Sequence, residues 1–218
     1  MSLSLHSSID MKIMTNLKSI ILFGAALLLL TSCATSYKQI KPYKLNYSGN
    51  SGTNEVEFSY QTNVLTTSGN KKYANKESKN DISIVAVRII NNSSEEITLG
   101  KNASIQSNYA PVRLLSPTQI TSKIKQNAGA YLLYLLLTPM ELQVQVNDKI
   151  DTYNIGYVIG PAISLLNIAN ASGANSAFGK ELSEFSLLDK TIQPGETVYG
   201  LVGISNYSYS QLTLSTSY

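Results

Sequence analysis

Histidine and cysteine, which carry much of the side-chain chemistry of proteins, occur once each in these 218 residues, as His6 and Cys33. Ser-His-Asp and Cys-His nucleophiles need an imidazole to take the proton of the attacking group, and zinc draws mainly on His and Cys. Neither arrangement can be assembled from the residues after Cys33. Carboxylates are the acid-base groups that remain, and a pair flanking a glycosidic bond is the enzymatic chemistry still open to them. The candidates are Glu95-Glu96 beside a turn and Asp148 and Asp151 in a polar loop. None stands in the apolar sequence that would raise a carboxyl pKa, so solvated surface acids are expected. Thr191-Ile-Gln-Pro-Gly-Glu196 lacks the glycines and lysine of a phosphate loop and reads as a turn before a strand. The sequence thus predicts no catalytic, cofactor-binding or metal residue, and no enzyme.

Cys33 has a different setting. Lys12 and Lys18 precede an apolar run at 20–30, which gives way to Thr31-Ser32, the charged, apolar and small order of an export signal. The run is far shorter than the roughly 20 apolar residues of a membrane span. Leu30-Thr31-Ser32-Cys33 resembles the lipobox of bacterial lipoproteins. The resemblance implies a signal peptide over 1–32, with Met11 and Met14 as alternative starts to Met1 and 1–10 then untranslated. It further implies diacylglycerol on the Cys33 thiol, cleavage before that residue and acylation of the freed amine. One acyl chain binds only marginally, whereas two or three hold a protein firmly on a membrane. A lone free thiol in an oxidising compartment would otherwise be a liability. Ala34-Thr35 lacks the aspartate associated with inner-membrane retention, so in a cell with two membranes the resemblance favours the outer one.

Loss of 1–32 takes away Lys12, Lys18 and Asp10 and changes the net charge from +3 to +2. With Arg88 and Arg113 as the only arginines, nothing suggests a nucleic-acid surface. The remaining length suits one domain that folds without disulfides. Fourteen tyrosines among many Ser and Asn residues suit exposed strands and adaptable recognition surfaces.

Several elements are predicted. Residues 34–54 are polar and end in Ser48-Gly49-Asn50-Ser51-Gly52, so 33–54 is expected to be a lipidated tether, with an edge strand around Tyr43 and Tyr47 as the alternative. The domain proper is expected over 55–218. Val56, Phe58 and Tyr60 alternate with Glu57 and Ser59 in the period of a half-buried strand. Residues 82–90 are apolar at nearly every position, which predicts a central strand covered on both faces. Asn91-Asn92-Ser93-Ser94 is expected to turn the chain into a returning strand at 97–105. Strands at 198–204 and 207–214 suggest a second hairpin around Ser205-Asn206.

Between these β-rich ends a helical insert is expected over 116–188. Ser116-Pro117-Thr118-Gln119 combines an N-cap, a proline at the first helical position and a capping-box glutamine. Ile120, Ile124, Ala128, Tyr131 and Leu135 then continue at helical spacing, predicting one helix over 118–137. Alternation of Met140, Leu142, Val144 and Val146 predicts a strand. A second helix is expected over 171–187, with Phe178, Leu182 and Phe185 on its inner face and Lys180, Glu181 and Glu184 elsewhere.

Residues 152–179 carry no charge, and neither do 126–140. A membrane hairpin would have to satisfy Asn154, Asn167, Asn170 and Asn175 inside lipid, at several kcal/mol for each unpaired group. A buried segment with Gly156 and Gly160 pressed against other backbone is the expectation instead.

The strand at 82–90 ending in Asn-Asn-Ser-Ser, and Ile192-Gln-Pro-Gly-Glu-Thr-Val-Tyr-Gly200 before the last strands, resemble Ig-like β-sandwich domains of bacterial lipoproteins. The resemblance implies a mainly β, Ig-like antiparallel sandwich interrupted by the insert. The functional expectation is a membrane-anchored, non-enzymatic binding or assembly module of the cell envelope, with a protein or glycan partner. The alternative is a carrier of lipid or another apolar ligand that uses the uncharged insert 126–179 as its pocket wall.

Overall fold

The computed structural model describes residues 34–146, 149–205 and 211–217. The signal peptide expected over 1–32, Cys33 and Asp148 therefore lie outside the described residues. The fold is built around strand β3 (Ile82–Asn91), whose side chains alternate between two apolar environments. Strand β11 (Thr197–Ser205) pairs with it antiparallel from Ile90↔Thr197 to Ile82↔Ser205, and β2 (Val56–Gln61) pairs on its other side. Strands β1 (Gly49–Gly52) and β7 (Leu114–Leu115) complete a sheet of order β1-β2-β3-β11-β7.

One face of this sheet meets a second layer. Strand β12 (Leu212–Thr216) pairs with β5 (Ala103–Ser107), which pairs with β6 (Ala110–Pro111); beside them β10 (Thr191–Ile192) pairs with β4 (Ile97–Thr98). Phe58, Val85, Val87 and Ile89 from the large sheet share one core with Ile97, Ile105, Ile192 and Leu212 from the smaller ones. The opposite face, carrying Ile82, Ile84, Ala86 and Leu201, is covered by helices. These are α1 (Val64–Thr67), α2 (Lys71–Lys79), α3 (Pro117–Ile124) and α4 (Gly156–Glu184). Tyr73, Ile120, Ile124, Phe178 and Leu182 form this second core. The double coverage predicted for 82–90 is thus present. With four helices among the described residues the fold is mixed rather than mainly β: antiparallel sheets face each other, and helices cover one of them.

Among the described residues neither expected hairpin forms, and 206–210, which include the turn residue Asn206 of the second, lie outside them. Strand β3 pairs with β2 and β11, while the chain after Asn91 crosses into the other layer to make β4 and β5. The corner is built by Asn91, a fully buried side chain. Its Nδ2 donates to Glu95 O at 2.8 Å and Ile192 O at 3.1 Å, and its Oδ1 accepts from the Ser93 N–H at 3.1 Å. These bonds satisfy the amide within the corner, so the chain changes layer without stranding a polar group. At the other end β12 pairs with β5 instead of β11.

The stretch expected as a tether packs on the domain from Thr35 onward. Ile40 and Pro42 are buried, and β1 pairs with β2 from Gly49↔Tyr60 to Gly52↔Glu57.

Within 116–188 the elements run from α3, starting at Pro117, to α4, ending at Glu184, and their arrangement differs from the predicted one. At the start of α3, Gln119 N–H donates to Ser116 Oγ at 3.3 Å and Ser116 N–H to Gln119 Oε1 at 2.9 Å, the reciprocal bonds of a capping box. The expected helix 118–137 breaks after Ile124, because the Asn175 side-chain amide takes the place of ladder partners at Gln126. Gln126 N–H donates to Asn175 Oδ1 at 2.7 Å, and Asn175 Nδ2 donates to Gln126 O at 2.8 Å. The chain resumes as a 3-10 helix, Ala128–Leu137. The expected strand appears as β8 (Leu142–Val146), paired with an unforeseen β9 (Lys149–Tyr153), which places Asp151 opposite Val144 instead of in a loop. Helix α4 begins fifteen residues before the expected start and carries Pro161 in its second turn.

Candidate functional site

The 3-10 helix and the first half of α4 run antiparallel and form a lobe. Their contact is made by small residues. A Cβ on Gly156 would stand 2.2 Å from Leu137 O and 2.4 Å from Thr138 O, and one on Gly160 would stand 3.0 Å from Tyr134 O. Only glycine allows such an approach at Gly156. Ser164, Asn167, Ala171 and Ala174 continue the buried stripe at spacings of three and four residues. The expectation that Gly156 and Gly160 press against other backbone is met, while the segment around them is not buried as expected, with Tyr157, Val158, Leu165 and Leu166 exposed. Asn167 Nδ2 donates to Ile163 O at 2.9 Å, and Asn175 is occupied with Gln126, so two of the four asparagines point inward with partners.

The large apolar side chains of this lobe point outward. Leu133, Leu136, Val158, Leu165 and Leu166 are each 66–75 % exposed, and Leu132, Ile150, Tyr153 and Tyr157 are more than half exposed. Small residues inside and large apolar ones outside reverse the order of a water-facing helical pair. Tyr131 and Tyr134 are buried, with near-parallel rings 6.3 Å apart, and Leu137, Ile159, Ile163 and Ile168 are half-buried. No helix among the described residues is long and apolar enough to cross a membrane.

A node of hydrogen bonds sits at the root of the lobe. Gln126 Nε2 donates to Thr35 O at 2.7 Å and to Tyr73 Oη at 3.3 Å, and Gln126 Oε1 accepts from Thr35 N–H at 3.3 Å. Tyr73 in turn donates to Asn175 Oδ1 at 3.0 Å. The strap that follows Thr35 is clasped by Glu181 of α4. Its carboxyl oxygens accept from Tyr37 Oη at 2.6 Å, Ile40 N–H at 2.9 Å and Lys41 N–H at 3.0 Å. Burial, and then the Glu181 hydrogen bond and charge, push the Tyr37 hydroxyl far above the usual phenol range. Lysines stand beside the same root. Lys76 Nζ donates to Lys125 O at 2.6 Å, Lys72 Nζ to Tyr131 Oη at 3.2 Å, and Lys123 and Lys125 are exposed.

The acids behave differently from expectation in two places. Glu181 lies on the inner face of α4, 4 % exposed, not off it. Glu77 of α2 is 8 % exposed and accepts a hydrogen bond from Ile84 N–H. Burial pushes its carboxyl up to about 7, against the lowering effect of that bond. Glu77 and Asp81 line the same polar cavity of about 330 Å³. The sequence candidates are scattered: Glu95 and Glu96 are exposed beside β4, and Asp151 is exposed in β9. No group of three or more His, Cys, Asp or Glu side chains placed to hold a metal occurs among the described residues. Within 191–196, β10 is followed by a turn over 193–196 before β11, with Gln193 N–H donating to Glu196 Oε2 at 2.9 Å and Gly195 at φ 79°.

Comparison of the chain with protein-family models, with curated proteins and with solved structures gave no match.

Proposed function

We propose that the protein is a non-enzymatic binding or assembly module of the cell envelope, held on a membrane by lipid on Cys33 and carried on an Ig-like sandwich, with the uncharged lobe as its contact surface. The observation that carries this reading is the outward display of Leu132, Leu133, Leu136, Val158, Leu165 and Leu166 from stretches of sequence without charge. Contiguous apolar patches above a few hundred Å² are rare on monomeric soluble proteins and mark contact sites. None of these side chains lines the three cavities found at 63–83, beside Glu181 and beside Gln126, which favours a surface over a carrier's pocket. The lipobox-like Leu30-Thr31-Ser32-Cys33 supports the anchor, and the exchange of strands between two antiparallel layers is in keeping with an Ig-like arrangement.

Labelled palmitate supplied to growing cells tests the anchor: the wild-type chain takes up label and fractionates with membranes, and Cys33→Ser does neither. Equal labelling of the two refutes it. A photo-crosslinking residue in place of Leu136 tests the surface, since it is expected to form adducts in intact envelopes that the same residue in place of Lys101 does not.

A further inference from the structure

We propose that the lobe lies in the interface of an anionic lipid leaflet, with its apolar flank among the acyl chains and its lysines at the head groups. This rests on the membrane-anchored reading above and names what covers the exposed surface. Three observations point to a bilayer rather than a second protein surface.

The first is where the chain enters. Thr35 is pinned to Gln126 through both its N–H and its carbonyl, and Gln126 is two residues before the 3-10 helix. Cys33 precedes Thr35 by two residues, a covalent link of about 7 Å at full extension. Lipid on Cys33 would bring a membrane to the root of the lobe, and the Glu181 clasp on Tyr37, Ile40 and Lys41 would keep the root from swinging away.

The second is charge. Lys72, Lys76, Lys123 and Lys125 gather at that same root; of the acids nearby, Glu77 and Glu181 are turned inward and Asp81 is exposed, so the cations outnumber the outward carboxylates. Basic side chains flanking an apolar surface are the arrangement that reads anionic head groups.

The third is the inverted packing. Gly156, Gly160, Ser164 and Ala171 fill the contact between the two segments while leucines, valine and tyrosine face out. Lipid gives no hydrophobic drive between helices, and small residues at the contact are how such pairs hold together. A ten-residue 3-10 helix rises only about 20 Å, short of the roughly 30 Å of a hydrocarbon core. Lys149 and Asp151 at the hairpin would also be stranded by deep entry. The lobe therefore lies along the interface and does not span.

The protein has no tryptophan, so a single substitution gives a clean depth probe. Leu136→Trp reports from the lobe, and Tyr109→Trp, at a 95 % exposed position in the turn between β5 and β6, reports from the far layer. Each full chain is incubated with vesicles of phosphatidylethanolamine and phosphatidylglycerol carrying brominated acyl chains. In Leu136→Trp the emission is expected to shift to the blue and to be quenched several-fold more than in Tyr109→Trp. Adding Lys123→Glu and Lys125→Glu should weaken the quenching, as should phosphatidylcholine alone. Equal quenching at the two positions in a palmitoylated protein overturns the proposal and leaves the anchor standing. Quenching at 136 in a protein that takes no palmitate supports the lobe and removes the anchor. A blue shift that grows with protein concentration and needs no vesicle overturns the proposal in favour of a second copy of the chain.

Discussion

Glu77→Gln is expected to make the protein more stable at alkaline pH and to abolish a segment of its pH dependence. The Glu77 carboxyl rises from 4.5 to about 7 because burial in the helix layer disfavours its charge. In the unfolded chain the group ionises near its ordinary value, so between pH 4.5 and 7 the folded state holds a proton that the unfolded state has lost. Stability then falls as pH rises through this window and levels off above it. At 1.36 kcal/mol per pKa unit the whole fall is about 3 kcal/mol. Glutamine keeps an oxygen for the Ile84 N–H and carries no charge to desolvate. Urea unfolding followed by circular dichroism from pH 4 to 8.5 should show the two proteins equal near pH 4 and the variant ahead by about 3 kcal/mol at pH 8. At about 2–4 °C per kcal/mol for a chain of this size, that is a gain in Tm of about 6–12 °C. Parallel pH profiles, or a variant less stable than wild type at pH 8, would refute the assignment of this cost to Glu77.

Gly156→Ala places a Cβ against the Leu137 and Thr138 carbonyls, which cannot swing aside, and should cost about 1–3 kcal/mol with faster amide exchange over 128–137. Gly173→Ala is its control: nothing lies within 4 Å of the added carbon, and better helix propensity should leave stability unchanged or raised by up to about 1 kcal/mol. Glu181→Ala removes the acceptor of the buried Ile40 N–H, worth about 1–3 kcal/mol when left unpaired, and of the part-buried Lys41 N–H, which water can reach more easily. Loss of exchange protection over 37–41, with little change in β3, would be its signature in hydrogen exchange.

How much of this was legible in the sequence depended on whether a residue's surroundings were local. The double coverage of β3 could be read because its apolar run has no polar alternation, and the start of α3 because a capping box is a four-residue pattern. Helix α2 gave no such signal: in Lys71–Lys79 only Tyr73 and Glu77 are buried, and one of the two is an acid, so the segment reads as polar. Glu181 was hidden for a related reason. A carboxyl on the inner face of a helix makes sense only with the donors of Tyr37, Ile40 and Lys41, which lie about 140 residues earlier. The break at Gln126 likewise depends on Asn175, 49 residues away. The uncharged character of 126–140 and 152–179 was plain in the sequence. That their large side chains face outward was not, because the inner face is set by glycine and alanine, which carry little periodic signal.

The pairing of β3 with β11 joins residues more than a hundred positions apart, with the whole insert between them. In a chain that emerges from its N-terminus, β2 is available to pair with one edge of this apolar strand, but the other edge stays unpaired until β11 arrives. Closing so large a loop has to precede any reward from the contact, which slows folding and lengthens the time in which unpaired strands can meet other chains. The sheet that gives the finished molecule its rigidity is therefore also the part of its biogenesis most exposed to aggregation.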